Sequence, residues 1–243
     1  MQTILAKLKQ FIFFTKCLWA VAWPCLVVIV KANLNRINHQ EMNRIVNKAA
    51  VSVLSLTKTR YKISYATQFH FQENTAYILM SNHESLMDIP LIYATMTGTI
   101  RFLAKKELFK IPIFGRMLAI SECVPVDRSK PMQEKAFFQQ VKERLHKNIF
   151  IWIFPEGTRS REKDLLPFKS GGFRLAREIS AKIVPVGICN TRAILPPHKL
   201  EFGFNKTVEL KVGEPIDAGK FQMLDGQQLL METVRNKIKD LIA

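Results

Sequence analysis

Cysteine is scarce in this 243-residue sequence, and its four cysteines lack the spacing of a metal site or a disulfide framework. No two of them form a CxxC pair, and Cys17 and Cys25 lie within the most apolar segment of the chain. Their distribution disfavours both a zinc site and a small disulfide-bonded fold. We therefore expect a reduced domain that faces the cytoplasm and binds no metal.

Two signatures of enzyme classes are also missing. No Gly-rich stretch ends in the Gly-Lys-Ser/Thr of a P-loop, which disfavours nucleotide hydrolysis. There is no G-x-S-x-G elbow, and neither Cys123 nor Cys189 has a histidine close by in the sequence. A covalent Ser or Cys nucleophile is therefore disfavoured as well.

Acidic residues are few: 20 Asp and Glu face 36 Lys and Arg, which leaves a net charge of +16. This balance favours a polyanionic partner, either nucleic acid or an acidic membrane face. Residues 1–62 contain ten basic residues and one acid, beside the most apolar part of the chain. Basic charge next to apolar surface is typical of membrane binding. The alternative is a solvated basic face on a soluble protein.

One long apolar run is present, at Phe11–Val30, and a lysine and a proline interrupt it. Its length is that of a marginal transmembrane helix. The alternative is a pair of amphipathic helices in the membrane interface, with Trp19 and Trp23 at headgroup depth. The basic stretch Lys31–Lys48 continues the helical pattern and leaves both arrangements open.

From residue 61 onward, short β-branched runs alternate with longer helical patterns. The runs predict five buried strands, at Tyr77–Met80, Ile100–Leu103, Cys123–Val126, Ile149–Phe154 and Ile183–Ile188. The patterns between them predict helices at Leu86–Met96, Glu107–Leu118, Gln133–Leu145 and Phe173–Ile179. Such alternation predicts an α/β fold with a mostly parallel central sheet flanked by helices.

Later in the chain, Phe202–Phe204 and Val208–Val212 predict edge strands, and Gln227–Ile242 predicts a final amphipathic helix. The length suggests one catalytic domain. We assign that domain to residues 61–243, preceded by membrane-associating helices in residues 1–60.

The strongest chemical signal is SNHESLMDIP, residues 81–90, directly after the apolar run Tyr77–Met80. Ligands of open α/β sheets bind at such strand ends. On one continuous helix His83 and Asp88 would point about 140° apart. We therefore place His83 in the loop, Ser85 as the helix cap and Asp88 in the first helical turn. His83 could then act as a general base oriented by Asp88; the alternative is a turn histidine beside an ordinary helix-start acid.

A second signal, FPEGTRS at residues 154–160, also follows a predicted strand. Gly157 allows close approach of the backbone to a ligand, Thr158 offers a hydroxyl, and Arg159 offers a planar fork suited to phosphate. The alternative interpretation is a polar turn. Lys105 and Arg128 close two further predicted strands and could converge with His83 on one side of the sheet, although either could be a solvated loop end.

Together these blocks resemble the 1-acylglycerol-3-phosphate O-acyltransferase (lysophosphatidic acid acyltransferase) family of phospholipid biosynthesis. The matches follow the family order within residues 76–190. They are NHxxxxD (Asn82, His83, Asp88), Lys-x-Glu-Leu…Pro-x-x-Gly (Lys105, Glu107, Leu108, Pro112, Gly115), a following arginine (Arg128), FPEGTRS (Phe154–Ser160) and V-P-V (Val184, Pro185, Val186).

The resemblance implies an enzyme that transfers a fatty acyl group from acyl-CoA or acyl carrier protein to 1-acylglycerol 3-phosphate, giving phosphatidic acid. It implies that His83 is the general base and Asp88 its orienting partner. It assigns the acceptor phosphate to Arg128 and to a loop comprising Glu156, Gly157, Thr158 and Arg159, with Lys105 as a further candidate.

The same resemblance implies direct transfer without a cofactor or metal. The expected partners are anionic membrane lipids, the acyl donor and lysophosphatidic acid, and not nucleic acid. We expect a membrane-associated protein whose catalytic domain faces the cytoplasm. Two alternatives are an acyltransferase for another acceptor, such as glycerol 3-phosphate or a lyso-aminolipid, and a non-catalytic membrane-binding module.

Overall fold

The computed structural model describes residues 2–66, 70–72, 74–127, 135–162 and 164–243. Two helices begin the chain, α1 at Gln2–Asn33 and α2 at His39–Leu56. Asn38 caps α2, because its side-chain oxygen accepts the backbone N–H of Glu41 at 2.8 Å. Residues 2–56 therefore form a helix pair, which one of the two sequence interpretations requires, and α1 is also long enough for the other interpretation.

In the described part of the chain, eight strands form one sheet. They are β1 Arg60–Tyr65, β2 Tyr77–Ser81, β3 Thr99–Lys105, β4 Val124–Val126, β5 Ile149–Ile153, β6 Lys182–Cys189, β7 Thr207–Val212 and β8 Ile216–Asp217. The order is β1-β7-β6-β2-β5-β3-β4, with β8 also paired to β6. Neighbouring strands are parallel except where β6 meets β7 and β8. The predicted mostly parallel sheet is confirmed.

The remaining helices cover this sheet. They are α3 Asp88–Thr95, α4 Phe114–Ile120, α5 Lys135–His146, α6 Gly171–Glu178 and α7 Gly226–Ile242, with 3₁₀ turns at Lys106–Lys110, Thr191–Ala193 and Ala218–Phe221. Strand β2 is buried throughout and separates two cores: Tyr77 and Leu79 face one, and Ile78 and Met80 face the other. Apolar side chains on both faces are typical of a sheet covered by helices on both sides.

The single helix predicted at Glu107–Leu118 is wrong. The structure has the 3₁₀ turn Lys106–Lys110, a break, and then α4. Pro112 disfavours helical backbone at the residue before it, and Ile111 is accordingly extended, with φ −71° and ψ 123°. The break lets the chain turn sharply before α4 begins.

Two predictions about the last strands are also wrong. Val208–Val212 forms β7, but β7 is an interior strand because β1, which the sequence did not reveal, covers its outer side. Phe202–Phe204 is not a strand. Instead, the rings of Phe202 and Phe204 each lie 4.8 Å from the ring of Phe13 in α1. Apolar runs that pack on a helix carry the same composition as runs that join a sheet, so composition could not separate them.

Candidate active site

The site is built where three parallel strands end at the same edge of the sheet. Strands β2, β5 and β6 lie side by side, and the chain leaves each of them into a polar loop. Asn82 joins the first loop to β6, because its Nδ2 donates to the carbonyl of Ile188 and its Oδ1 accepts the N–H of Ile188, both at 2.8 Å. This paired contact fixes the start of the loop that carries the candidate base.

His83 and Asp88 form a direct hydrogen-bonded pair. His83 Nδ1 lies 2.6 Å from Asp88 Oδ2, and the same oxygen accepts the backbone N–H groups of Glu84 at 2.9 Å and Ser85 at 3.0 Å. A carboxylate accepts hydrogen bonds only, so Nδ1 carries the hydrogen and Nε2 is left with a free lone pair. This is the tautomer that a general base needs.

The predicted placement of this pair is confirmed: His83 lies in the loop and Asp88 in the first turn of α3. The cap differs from the prediction, since Met87 and not Ser85 is the N-cap residue. The Ser85 hydroxyl still accepts the N–H of Met87 at 3.1 Å, and it donates to the carbonyl of Leu195 at 2.7 Å. Ser85 therefore stabilises the loop rather than the helix end.

Aromatic packing fixes the plane of the imidazole. The ring of Phe154 stacks on His83, with 3.9 Å between centroids and 16° between planes. Asp88 is completely buried, whereas the His83 side chain keeps 14% of its surface exposed. Nε2 forms no hydrogen bond with any described residue. The pair thus combines a buried acid with a base that a substrate can reach.

Glu156 connects the second loop to the first. One carboxylate oxygen accepts the N–H of His83 and the other accepts the N–H of Leu166, both at 2.8 Å. The Ser160 N–H donates in turn to the carbonyl of His83 at 2.8 Å. Burial raises the pKa of the Glu156 carboxyl above its ordinary value, against the lowering effect of these N–H donors. Both oxygens are engaged by backbone, so Glu156 is placed to hold His83 in position.

The other predicted phosphate-binding residues lie around this loop. Gly157 has φ +72°, a conformation that favours glycine, and a Cβ there would come within 2.9 Å of Lys169 Cε. Thr158 is exposed and Arg159 is half-buried. Arg159 forms no ion pair with a described residue, so its guanidinium is available to a ligand.

The last two residues predicted to bind phosphate are Lys105 and Arg128. Lys105 ends β3, two strands away from β2, and its Nζ lies 3.7 Å from Glu107 Oε2. Arg128 lies outside the described residues. Within the described ranges, no three His, Cys, Asp or Glu side chains are grouped as metal ligands.

Sequence reasoning missed the loop that follows β6. The Thr191 hydroxyl contacts both Glu84 and Asp88, and the guanidinium of Arg192 donates to the carbonyls of Ser160 and Arg161. The third loop is thereby joined to the first and the second. The position of Thr191 directly after a buried strand, at the same sheet edge as His83, is the signal that could have revealed it.

Comparisons with known proteins find similarity to acyltransferases. A family model described as Acyltransferase matches residues 62–189. The chain is 37% identical over 132 residues to a 1-acyl-sn-glycerol-3-phosphate acyltransferase of Saccharomyces cerevisiae, covering 52% of this chain and 44% of the yeast protein. It is 29% identical over 181 residues to the chloroplastic 1-acyl-sn-glycerol-3-phosphate acyltransferase BAT2 of Brassica napus, covering 72% of this chain and 51% of the plant protein.

The chain thus spans about half the length of these relatives. In fold it is similar to the crystal structure of the 1-acyl-sn-glycerophosphate (LPA) acyltransferase of Thermotoga maritima. That comparison has a TM-score of 0.75 at 24% identity and covers 99% of this chain and 98% of the other. It supports the α/β architecture along the whole chain.

Proposed function

Since the chain belongs to the Acyltransferase family, we propose that it transfers a fatty acyl group from a thioester to the free hydroxyl of 1-acylglycerol 3-phosphate. The product is phosphatidic acid, and the donor is acyl-CoA or acyl carrier protein. The observation that carries the proposal is the His83–Asp88 pair, in which Asp88 holds Nδ1 and leaves Nε2 free. The relatives named as 1-acyl-sn-glycerol-3-phosphate acyltransferases support the choice of acceptor.

The proposed reaction is a direct transfer. His83 Nε2 accepts the proton of the acceptor hydroxyl while that oxygen attacks the thioester carbonyl. The carbon–sulfur bond then breaks, and the leaving thiolate takes the proton from the imidazolium, which yields an ester and a free thiol. Asp88 stabilises the imidazolium between these steps. General-base assistance of this kind contributes about 10²- to 10⁴-fold in rate.

Arg159 is the residue that we propose for the acceptor phosphate. It lies three residues beyond Glu156, which is itself bonded to the backbone of His83. A phosphate bound by Arg159 would therefore be held close to the base. A charge-assisted hydrogen bond of this kind contributes about 1.5 to 3 kcal/mol. Lys105 and Arg128 are further candidates from the sequence, and positioning of the hydroxyl by such contacts lowers the barrier.

The N-terminal helix supports a membrane location. Its stretch Gln10–Asn33 contains an 18-residue window with a mean hydropathy of 2.0, of which 11% is buried in the described structure, and the stretch is long and apolar enough to cross a bilayer. Trp19 and Trp23 are exposed and lie 6.1 Å apart. We propose that α1 attaches the protein to an anionic membrane, with the catalytic domain on the cytoplasmic side. Alkaline washing separates the arrangements, because a transmembrane helix stays in the pellet and an interfacial helix is extracted.

An assay with purified, detergent-dispersed protein tests the activity. Acyl-CoA and acyl carrier protein donors are offered separately with 1-acylglycerol 3-phosphate, glycerol 3-phosphate and a lyso-aminolipid, and the products are identified by mass spectrometry. We expect phosphatidic acid from the wild type and none above background from His83→Ala. Acylation of another acceptor in preference would reassign the substrate. Absence of any acylation would leave the chain as a membrane-binding module.

A further inference from the structure

The hydroxyl group of Thr191 lies between two carboxyl groups, those of Glu84 and Asp88. Thr191 Oγ1 is 3.0 Å from Glu84 Oε1 and in hydrogen-bond contact with Asp88 Oδ1. Thr191 and Asp88 are both completely buried. A hydroxyl has one hydrogen to donate, and an ionised carboxylate can only accept. Two ionised carboxylates would leave one of these oxygen pairs without a hydrogen, and this points to an additional proton in the cluster.

The contacts of the two acids indicate where that proton resides. Asp88 Oδ2 accepts three N–H groups, at 2.6, 2.9 and 3.0 Å, and such donors stabilise the ionised form. Glu84 Oε1 accepts one N–H, from Arg192, at 3.2 Å. Burial, and next the charge of Asp88, raise the pKa of Glu84. Glu84 is therefore the acid that retains the proton.

We propose that Glu84 is protonated in the active enzyme and donates to Thr191, whose hydroxyl donates to Asp88 Oδ1. With this chain complete, Asp88 receives four donors: His83 Nδ1, two backbone N–H groups and the Thr191 hydroxyl. Glu84 and Thr191 are then positioning residues that keep the Asp88 carboxylate ionised and oriented toward the imidazole. This inference rests on the proposed acyl transfer, and it adds Glu84 and Thr191 to the residues that position the candidate base.

Other charged groups act on Glu84 as well. Burial and the charge of Asp88 raise the pKa of Glu84, whereas the backbone N–H of Arg192, a hydrogen bond from the Thr191 hydroxyl and the charge of Arg192 lower it. Cys189, at the end of β6, also interacts with Glu84. The argument for the proton is the hydrogen count, because with both acids ionised one of the two Thr191 contacts would bring two oxygens together with no hydrogen between them.

Infrared spectroscopy tests the protonation directly, without any assay of activity. A protonated carboxylic acid has a carbonyl stretch that is separate from the carboxylate bands. We expect the difference spectrum between wild type and Glu84→Gln to show the loss of one such band at neutral pH. The matched control is Glu214→Gln, which removes an exposed acid between β7 and β8 and should lose only carboxylate bands. If Glu84→Gln also loses only carboxylate bands, Glu84 is ionised and the proposal is wrong.

Kinetics test the positioning role. Glu84→Gln can donate through its amide nitrogen to Thr191, at the expense of the long bond from Arg192, so kcat should fall no more than about threefold. Thr191→Ser keeps the hydroxyl and should also stay close to wild type. Thr191→Val has the same shape without the hydroxyl and should lower kcat about tenfold or more. Equal losses in the serine and valine variants would indicate a packing role and overturn the proposal.

The acid limb of the pH–kcat profile provides a readout that packing does not affect. That limb reports protonation of the catalytic base. Removal of an ionised carboxylate this close to the base would move it to lower pH, whereas removal of a neutral acid leaves it in place. We expect no movement in Glu84→Gln. If the wild type transfers no acyl group, the proposed function fails, but the infrared result still decides whether Glu84 is protonated.

Discussion

Asp88→Asn is the substitution for which the structure gives the most specific expectation. Asp88 Oδ2 accepts the two backbone N–H groups of Glu84 and Ser85 as well as His83 Nδ1. An amide nitrogen at that position would face three donors, so the asparagine must place its oxygen there. Its nitrogen then takes the place of Oδ1 and donates to the Thr191 hydroxyl, whose own hydrogen turns to Glu84, so Glu84 is ionised in this variant. The imidazole consequently keeps its tautomer and loses only a charged partner.

The magnitude follows from that single loss. A hydrogen bond to a charged group contributes about 1.5 to 3 kcal/mol, which corresponds to about 10- to 150-fold in rate. Removal of the base itself, in His83→Ala, should cost up to about 10⁴-fold. We therefore expect kcat of Asp88→Asn to lie between wild type and His83→Ala, with KM values for both substrates little changed. Initial rates with detergent-dispersed substrate measure this, and thermal unfolding verifies that the variants are folded.

Two results would refute this reasoning. If Asp88→Asn is as inactive as His83→Ala while equally well folded, the amide has turned its nitrogen toward the imidazole, and the backbone N–H groups do not control its orientation. If Asp88→Asn keeps near-normal turnover, the carboxylate does not stabilise a charged imidazole, and His83 is not the general base that we propose.

Three further predictions concern the loop beside His83 and the N-terminal helix. Arg159→Ala should raise KM for the phosphorylated acceptor about tenfold or more with little change for the acyl donor, whereas Arg161→Ala, an exposed neighbour, should change neither; equal effects on donor and acceptor would contradict phosphate binding. Gly157→Ala should lower both the melting temperature and turnover, since positive φ costs about 1 kcal/mol or more and the new Cβ would press on Lys169; unchanged values would contradict strain. Deletion of residues 1–35 should release protein from anionic vesicles, and full sedimentation of the truncated protein would place the membrane-binding surface elsewhere.

The sequence predicted the parts of the site that lie close together along the chain. His83 and Asp88 are five residues apart, and the helical period alone required a loop before the helix. The buried strands β2, β5 and β6 were recognisable because strands covered on both faces are apolar throughout. Since the carboxyl ends of parallel strands meet at one edge, the pattern of strands places the loops carrying His83 and Glu156 at the same edge, whereas the order that makes β2 and β5 neighbours is known only from the structure.

The contacts between distant segments could not be predicted in the same way. Thr191 is 103 residues from Asp88 in the sequence, and the two side chains come into contact only because β6 pairs with β2. Glu156 lies in a loop that the sequence predicts to bind a ligand. In the structure, however, its two carboxylate oxygens accept the backbone N–H groups of His83 and Leu166. Which groups a carboxylate accepts depends on tertiary structure, and residue type does not encode it. The sequence analysis did not predict strand β1, because most of its side chains are exposed and do not alternate between buried and exposed as in a half-buried strand.

The helix pair packs against the part of the sheet that carries the candidate site, and the sequence could not reveal this packing. Val53 and Leu54 of α2 are buried in the same core as Tyr77 of β2, so α2 helps to cover the sheet. In α1, the Phe13 ring packs on Phe202, a few residues after Leu195, whose carbonyl accepts the hydroxyl of Ser85 in the loop that carries His83. The amino-acid composition changes near residue 60, but residues on the two sides of this position pack against each other. It follows that a truncation of α1 uncovers Phe202 as well as removing a membrane-binding surface, and a loss of activity in the truncated protein has two physical sources. Vesicle sedimentation reports the loss of the membrane-binding surface, and turnover in detergent reports the loss of packing at Phe202, so both measurements are needed to assign the role of α1.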